Sequence, residues 1–167
     1  ASAIASDVPD QVTGLTGTAL PSAEIKLDWT TPANNGYAIT GYTIERSIDA
    51  GQTWGVLVAD TQSVSITYTD TALTIGDTYN YRVAAINAVG TGTVSGVIAV
   101  VAGDIPDTPV ISITAQSGNQ IEITWSAPNA NAYPLTGFAI ERGTDGINWS
   151  PLTTPAASAT NFVDTGL

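Results

Sequence analysis

The chain has 167 residues, of which 15 are acidic and 4 are basic, so its formal net charge is −11 at pH 7. Nucleic-acid binding depends on Lys and Arg contacts with phosphates, so this charge argues against a nucleic-acid partner and against an anionic membrane surface. His and Cys are both absent, which excludes Ser-His-Asp and Cys-His nucleophiles, thiol chemistry and the common zinc sites. The longest apolar run, residues 97–102, is far shorter than the roughly 20 residues that span a bilayer.

Short segments in which apolar and polar residues alternate, separated by Gly, Pro, Asn and Asp, predict β-strands along the first two thirds of the chain. In chain order these segments are residues 12–19, 25–29, 38–47, 54–58, 65–69, 77–86 and 93–101. No helical period interrupts them. Seven short strands at this spacing predict an all-β antiparallel sandwich.

The chain also contains an internal repeat. Trp29 recurs as Trp125, and the pair Glu45-Arg46 recurs as Glu141-Arg142, in each case 96 positions later. Later segments of the repeat drift by one or two positions, as expected when loops gain or lose single residues. The sequence therefore predicts two copies of one module.

The boundaries of the two copies do not coincide with the ends of the chain. Residues 3–10 resemble residues 100–107, which form the end of the first copy, and the second copy stops before its counterpart of residues 77–103. The predicted organisation is a closing-strand remnant with a linker at 1–8, a complete module at 9–103, and a partial module at 104–167 that lacks its last two strands.

Several motifs in this order resemble the fibronectin type III family. They are Val12-Thr13-Gly14-Leu15, Leu27-Asp28-Trp29-Thr30, Ile39-Thr40-Gly41-Tyr42 and the run from Leu73 through Tyr79 and Tyr81 to Val83. The resemblance implies an immunoglobulin-like β-sandwich in which Trp29 and Trp125 are buried. It also implies that the Tyr79 hydroxyl caps the turn after Leu73, the arrangement known as a tyrosine corner.

Without His or Cys, catalysis would depend on a pair of carboxylates, as in glycoside hydrolysis. The acidic residues are instead scattered over turns and strand ends, where they commonly serve backbone hydrogen bonding. The sequence therefore predicts a protein that is not an enzyme.

Four acidic residues flank the starts of the two copies: Asp7 and Asp10 before the first, Asp104 and Asp107 before the second. Calcium takes carboxylate and carbonyl oxygens, and a junction between modules supplies both. No dense Asp/Asn run accompanies these acids, so the favoured interpretation is solvated junction carboxylates, with a structural calcium as the alternative. No other cofactor is expected.

Two pairs of aromatic residues recur at equivalent places and are candidates for an interface. Tyr37 and Tyr133 occupy the same loop, and Trp54 and Trp149 are assigned to the same short edge strand. Such rings stack on sugars or on a protein partner. For the two tryptophans the favoured interpretation is that each covers the outer rim of its own sheet, with the interface as the alternative.

The second copy lacks the counterparts of Tyr79, Tyr81 and Val83, which leaves a strand edge open to pairing with another chain. Either the polypeptide continues, or an identical subunit adds a strand, with residues 1–6 as the obvious donor. The functional hypothesis is a structural spacer in an extracellular or cell-surface array of such modules. The alternatives are an adhesion module that binds a polysaccharide or a protein, and an accessory region of a secreted hydrolase.

Overall fold

The computed structural model describes residues 7–165 and 167. The chain divides into two compact units, Ala1–Asp104 and Ile105–Leu167, here called unit 1 and unit 2. Within the described residues no helix is long and apolar enough to cross a membrane. The predicted strand remnant at residues 1–6 lies outside the described residues.

Unit 1 contains seven strands arranged in two antiparallel sheets. In chain order they are β1 (Thr13–Leu20), β2 (Glu24–Thr30), β3 (Gly41–Ser47), β4 (Gly55–Val58), β5 (Thr67–Asp70), β6 (Thr78–Ile86) and β7 (Ile98–Val101). One sheet has the order β1-β2-β5 and the other the order β4-β3-β6-β7. The predicted antiparallel β-sandwich is confirmed.

The core of unit 1 is built from the alternating apolar positions of facing strands. Ile25, Leu27 and Trp29 of β2 are at most 3% exposed, and Tyr42 and Ile44 of β3 are fully buried. The Trp29 and Tyr42 rings meet edge to face, with centroids 5.1 Å apart, a favoured geometry for aromatic pairs. Buried side chains of β6 complete the cluster.

The tyrosine corner is present. The backbone N–H of Thr74 donates to the Tyr79 hydroxyl oxygen at 3.0 Å, and Leu73 is buried beneath the turn. Both tryptophans that the resemblance places in the core are buried, with Trp29 3% and Trp125 8% exposed.

Unit 2 contains five strands: β8 (Ile111–Gln116), β9 (Gln120–Trp125), β10 (Ile140–Arg142), β11 (Ser150–Thr153) and β12 (Asn161–Asp164). One sheet has the order β12-β9-β8, and the other consists of β10 and β11. These strands correspond to β1–β5 of unit 1. Within the described part of unit 2 there is no counterpart of β6 or β7.

Two predicted strands begin three or more residues later in the structure than in the sequence prediction. Residues 38–40 precede β3, because its partner β6 ends at Ile86, opposite Gly41. Residues 93–97 precede β7, because a side chain interrupts the ladder: the Val83 N–H donates to the Ser95 hydroxyl at 3.0 Å. Trp54 and Trp149 each lie one residue before the short edge strand to which the sequence assigns them, since β4 begins at Gly55 and β11 at Ser150.

Candidate functional site

A polar cluster joins the two sheets of unit 1. Arg46 of β3 and the Tyr81 hydroxyl of β6 both donate to Oδ2 of Asp70 in β5, at 2.9 and 2.8 Å. Asp70 is 4% exposed, and burial is the main cause that raises the pKa of Tyr81. A buried carboxylate needs such partners, because an unpaired charge away from water is costly. The cluster is therefore a structural link between the sheets.

Unit 2 repeats the ion pair. Arg142 Nη1 donates to both carboxylate oxygens of Asp164, at 3.1 Å each. Asp164 is 5% exposed, close to the value for Asp70. The Glu-Arg repeat was apparent in the sequence, but its aspartate partner was not predicted. The recurrence of Asp70 as Asp164 within a longer repeated run was the signal that would have found it.

The segment that leads into each unit is held by an asparagine. Asn35 Nδ2 donates to the Val8 carbonyl and to Asp10 Oδ1, both at 2.9 Å. Its own backbone is left-handed, with φ of 51°, a conformation that Asn tolerates better than most residues. We call this pair of hydrogen bonds the asparagine clasp.

The same clasp occurs in unit 2. Asn131 Nδ2 donates to the Ile105 carbonyl at 2.7 Å and to Asp107 Oδ1 at 3.1 Å, and its φ is 50°. Neither asparagine was predicted as a functional residue, although the two recur 96 positions apart, two residues before the tyrosines Tyr37 and Tyr133.

The four candidate calcium ligands each take part in a hydrogen bond within their own unit. Asp10 and Asp107 accept from the clasp asparagines. Asp104 Oδ1 accepts from the Ser22 N–H at 2.9 Å, and Asp7 Oδ1 accepts from the N–H of the next residue at 2.8 Å. Among the described residues, no three acidic side chains come together in a group that could hold a metal ion. The calcium site stays an untested alternative.

The two candidate tryptophans have different surroundings. The Arg82 guanidinium lies 4.3 Å from the centre of the Trp54 ring, and Arg82 Nε also donates to Glu45 at 2.5 Å. The Trp54 indole N–H donates to the Gly51 carbonyl at 3.1 Å. Trp149 is 57% exposed. Thus Trp54 covers the outer face of its own sheet, whereas much of the Trp149 ring is accessible.

The two candidate tyrosines are similar to each other. Tyr37 is 46% exposed and Tyr133 is 43% exposed, and each follows its clasp asparagine by two residues in the loop before β3 or β10. The two rings belong to different units and form no shared site that the structure describes.

Unit 2 has an apolar cavity of about 260 Å³ where the core of unit 1 is closed. Its walls include Ile111 and Ile113 of β8, Trp125 of β9 and Phe138. Both isoleucines are more than half exposed. The described part of unit 2 therefore leaves apolar side chains of its inner sheet face exposed.

Residues 10–101 match the family description "Fibronectin type III domain". Exoglucanase B of Cellulomonas fimi is 27% identical over 168 residues, which cover 95% of this chain and 14% of that protein. Myosin-binding protein H of Gallus gallus is 37% identical over 121 residues, covering 71% of this chain and 21% of that protein. The chain thus corresponds to well under two thirds of each relative.

Among solved structures, the FN1-FN3 domains of chicken CNTN1 align with a TM-score of 0.62 at 16% identity, covering 95% of this chain and 57% of that one. At this identity the likeness concerns the fold alone. The family match extends over more than half of the chain, and it agrees with the sandwich, the tyrosine corner and the buried tryptophan described above. The chain belongs to the fibronectin type III family.

Proposed function

We propose that the chain is a non-catalytic spacer segment of an extracellular or cell-surface array of fibronectin type III modules. The observation that carries this proposal is the asparagine clasp, which recurs at the start of both units. A spacer transmits position only if the segments between its modules are held, since free linker residues add conformational entropy.

The residues around the boundary between the units support the proposal. The Asp104 carboxylate is bonded to Ser22 in unit 1, and the carbonyl of the next residue, Ile105, is bonded to Asn131 in unit 2. Each side of the boundary is therefore tied to its own unit by a side-chain hydrogen bond. A spacer role also agrees with charged side chains such as Arg46 and Arg142, which serve to link sheets rather than to line a reaction site.

The spacer proposal is tested by measuring whether the segment that leads into each unit is held. In ¹⁵N NMR relaxation of the full chain, we expect the amides of Ile105 and Asp107 to be as rigid as those of the strands of unit 2. Asn131→Ala removes the clasp of unit 2 and should increase the mobility of these two residues. Asn35→Ala removes the same bonds at the start of unit 1 and is the matched control, because it should leave Ile105 and Asp107 unchanged. High mobility of Ile105 and Asp107 in the unmodified chain would contradict the proposal.

A second candidate function is binding to a polysaccharide through the loop tyrosines. Two observations favour it: the rings of Tyr37 and Tyr133 are exposed at equivalent places, and a relative is named exoglucanase B. Aromatic rings with an exposed face suit stacking on sugars. In a pull-down on insoluble cellulose, binding that is lost in the Tyr37→Ala, Tyr133→Ala double variant would support this candidate. Absence of binding by the unmodified chain would reject it.

A further inference from the structure

The asparagine of the clasp is followed by a different residue in each unit. Asn35 precedes Gly36, the only Asn-Gly pair in the sequence, whereas Asn131 precedes Ala132. Asparagine is a chemically labile residue, because the backbone nitrogen of the next residue can attack its side-chain amide carbon. Glycine hinders this attack least, since it has no Cβ. The two clasps therefore have the same hydrogen bonds but unequal susceptibility to this reaction.

In unit 1, hydrogen bonds restrain both groups that would react. The Asn35 side-chain nitrogen Nδ2, the leaving group, donates to the Val8 carbonyl and to Asp10 Oδ1 at 2.9 Å each. The Gly36 N–H, the nucleophile, donates to Asn34 Oδ1 at 3.2 Å. Asn35 is half-buried and Gly36 is exposed, so water has access to the loop. The reaction thus requires release of the clasp rather than entry of water.

We propose that Asn35 is a site of spontaneous deamidation, which the clasp restrains and which, once it has occurred, abolishes the clasp of unit 1. The Gly36 nitrogen forms a bond to Asn35 Cγ, and the bond from Cγ to Nδ2 breaks. Nδ2 leaves as ammonia with the proton that the Gly36 nitrogen gives up, and a five-membered imide remains. Water then opens the imide, adding its hydroxyl to one of the two carbonyl carbons and its proton to the ring nitrogen. The products are aspartate and isoaspartate, with no oxidation or reduction.

Neither product can form the clasp again. An ionised carboxylate has no N–H to donate, and it would face the Asp10 carboxylate and the Val8 carbonyl oxygen, which are both acceptors. Like charges at this distance repel. The bond from Asn87 Nδ2 to the Asp7 carbonyl, at 2.8 Å, does not involve Asn35 and remains. Deamidation should therefore loosen residues 8–10 and leave unit 2 unchanged, and it requires the clasp of unit 1 but no spacer role.

The restraint by the clasp is tested in the full chain at mildly alkaline pH. Trypsin cleaves after Lys26 and Arg46 and releases residues 27–46, in which tandem mass spectrometry locates an amide that has become an acid. Asp10→Ala removes a charged acceptor and should make conversion at Asn35 about tenfold faster. Asp10→Asn keeps an acceptor oxygen without the charge, so the rate should rise only about threefold. In urea, where the clasp is absent, all three chains should react at the same rate.

The role of the following residue is tested by exchanging it between the units. Gly36→Ala should slow conversion at Asn35 to the rate at Asn131, and Ala132→Gly should make Asn131 react at least as fast as Asn35 does in the parent. The loop accommodates either residue, because Gly36 and Ala132 have φ of 98° and 80°.

The consequence is measured by ¹⁵N NMR relaxation of the deamidated chain. The amides of Val8 and Asp10 should become more mobile, while those of Ile105 and Asp107 should not change. An intact Asn35 in the parent, equal rates for the parent and Asp10→Ala without urea, or a stable Asn131 in Ala132→Gly would each overturn the proposal. Unchanged mobility of Val8 and Asp10 after conversion would also overturn it.

Discussion

The two units repeat one sequence pattern, and they differ in whether the sandwich is closed. In unit 1, Ile25 and Leu27 of β2 are fully buried. Their counterparts in β9, Ile121 and Ile123, are only half-buried. Trp125 nevertheless remains 8% exposed. The buried indole is therefore enclosed by the strands that both units share, whereas β6 and β7 bury the remainder of the sheet.

The polar links between the sheets show the same division. Arg142 and Asp164 form an ion pair in unit 2 as Arg46 and Asp70 do in unit 1. In unit 1, the Tyr81 hydroxyl of β6 is a further donor to Asp70. The pair itself joins the equivalents of β3 and β5 in both units. Three experiments extend this comparison.

The largest expected difference concerns the two buried tryptophans. Trp29→Ala should lower the free energy of unfolding of unit 1 by about 3–5 kcal/mol, because it leaves a cavity in a closed core. Trp125→Ala should cost unit 2 about 1–2 kcal/mol, because the site adjoins an open cavity and less packing is lost. Urea titrations with NMR signals from each unit separate the two effects. A loss below about 1 kcal/mol for Trp29→Ala would show that Trp29 is not a core residue.

A smaller difference is expected at the polar link. Tyr81→Phe removes the tyrosine donor and leaves the ion pair of Arg46 and Asp70 in unit 1. The loss of a buried hydrogen bond to a charged group should cost unit 1 about 1.5–3 kcal/mol. Tyr37→Phe is the control, since this exposed ring lies in a loop, and surface changes usually stay within about 0.5 kcal/mol. A Tyr81→Phe variant as stable as the parent would show that the ion pair is sufficient by itself.

The fold was predictable because its determinants are periodic. Alternation along residues 25–29 and 77–86 placed two central strands within a residue of their observed bounds. The tyrosine corner at Tyr79 was instead implied by the resemblance to the fibronectin type III family. Residues 93–97 were assigned to a strand wrongly, because a hydroxyl group of Ser95 replaces a backbone acceptor there. The alternation of apolar and polar residues does not show where a side-chain hydroxyl takes the place of a backbone acceptor.

The candidate sites were less predictable for a related reason. Trp54 and Trp149 have the same sequence context, but their exposure depends on whether an arginine from another strand lies over the ring. The asparagine clasp joins Asn35 to Asp10, 25 positions apart. No local pattern reports such a contact. Only the recurrence of the same pair as Asn131 and Asp107 contained a signal.

The smallest expected effect is a pH dependence that separates the units. Hydrogen bonds hold the pKa of Asp49 at about 2, first from the Ser47 hydroxyl and then from Thr53. In the equivalent loop of unit 2, hydrogen bonds from the backbone and side chain of Asn148, and then from the backbone of Ile147, hold the pKa of Asp145 at about 2. Both values lie below the unfolded value of about 3.9.

A carboxyl group whose pKa is lowered by folding adds stability above its unfolded pKa, and this stability is lost as the pH falls through the folded pKa. Each unit should therefore lose stability between about pH 4 and pH 2 through these groups. Asp49→Asn should reduce that loss in unit 1 and leave unit 2 unchanged, and Asp145→Asn should do the reverse. Acid titrations of each variant, followed by NMR signals from both units, measure the two slopes. Unchanged slopes in both variants would show that these exposed carboxylates contribute nothing to the pH dependence of folding.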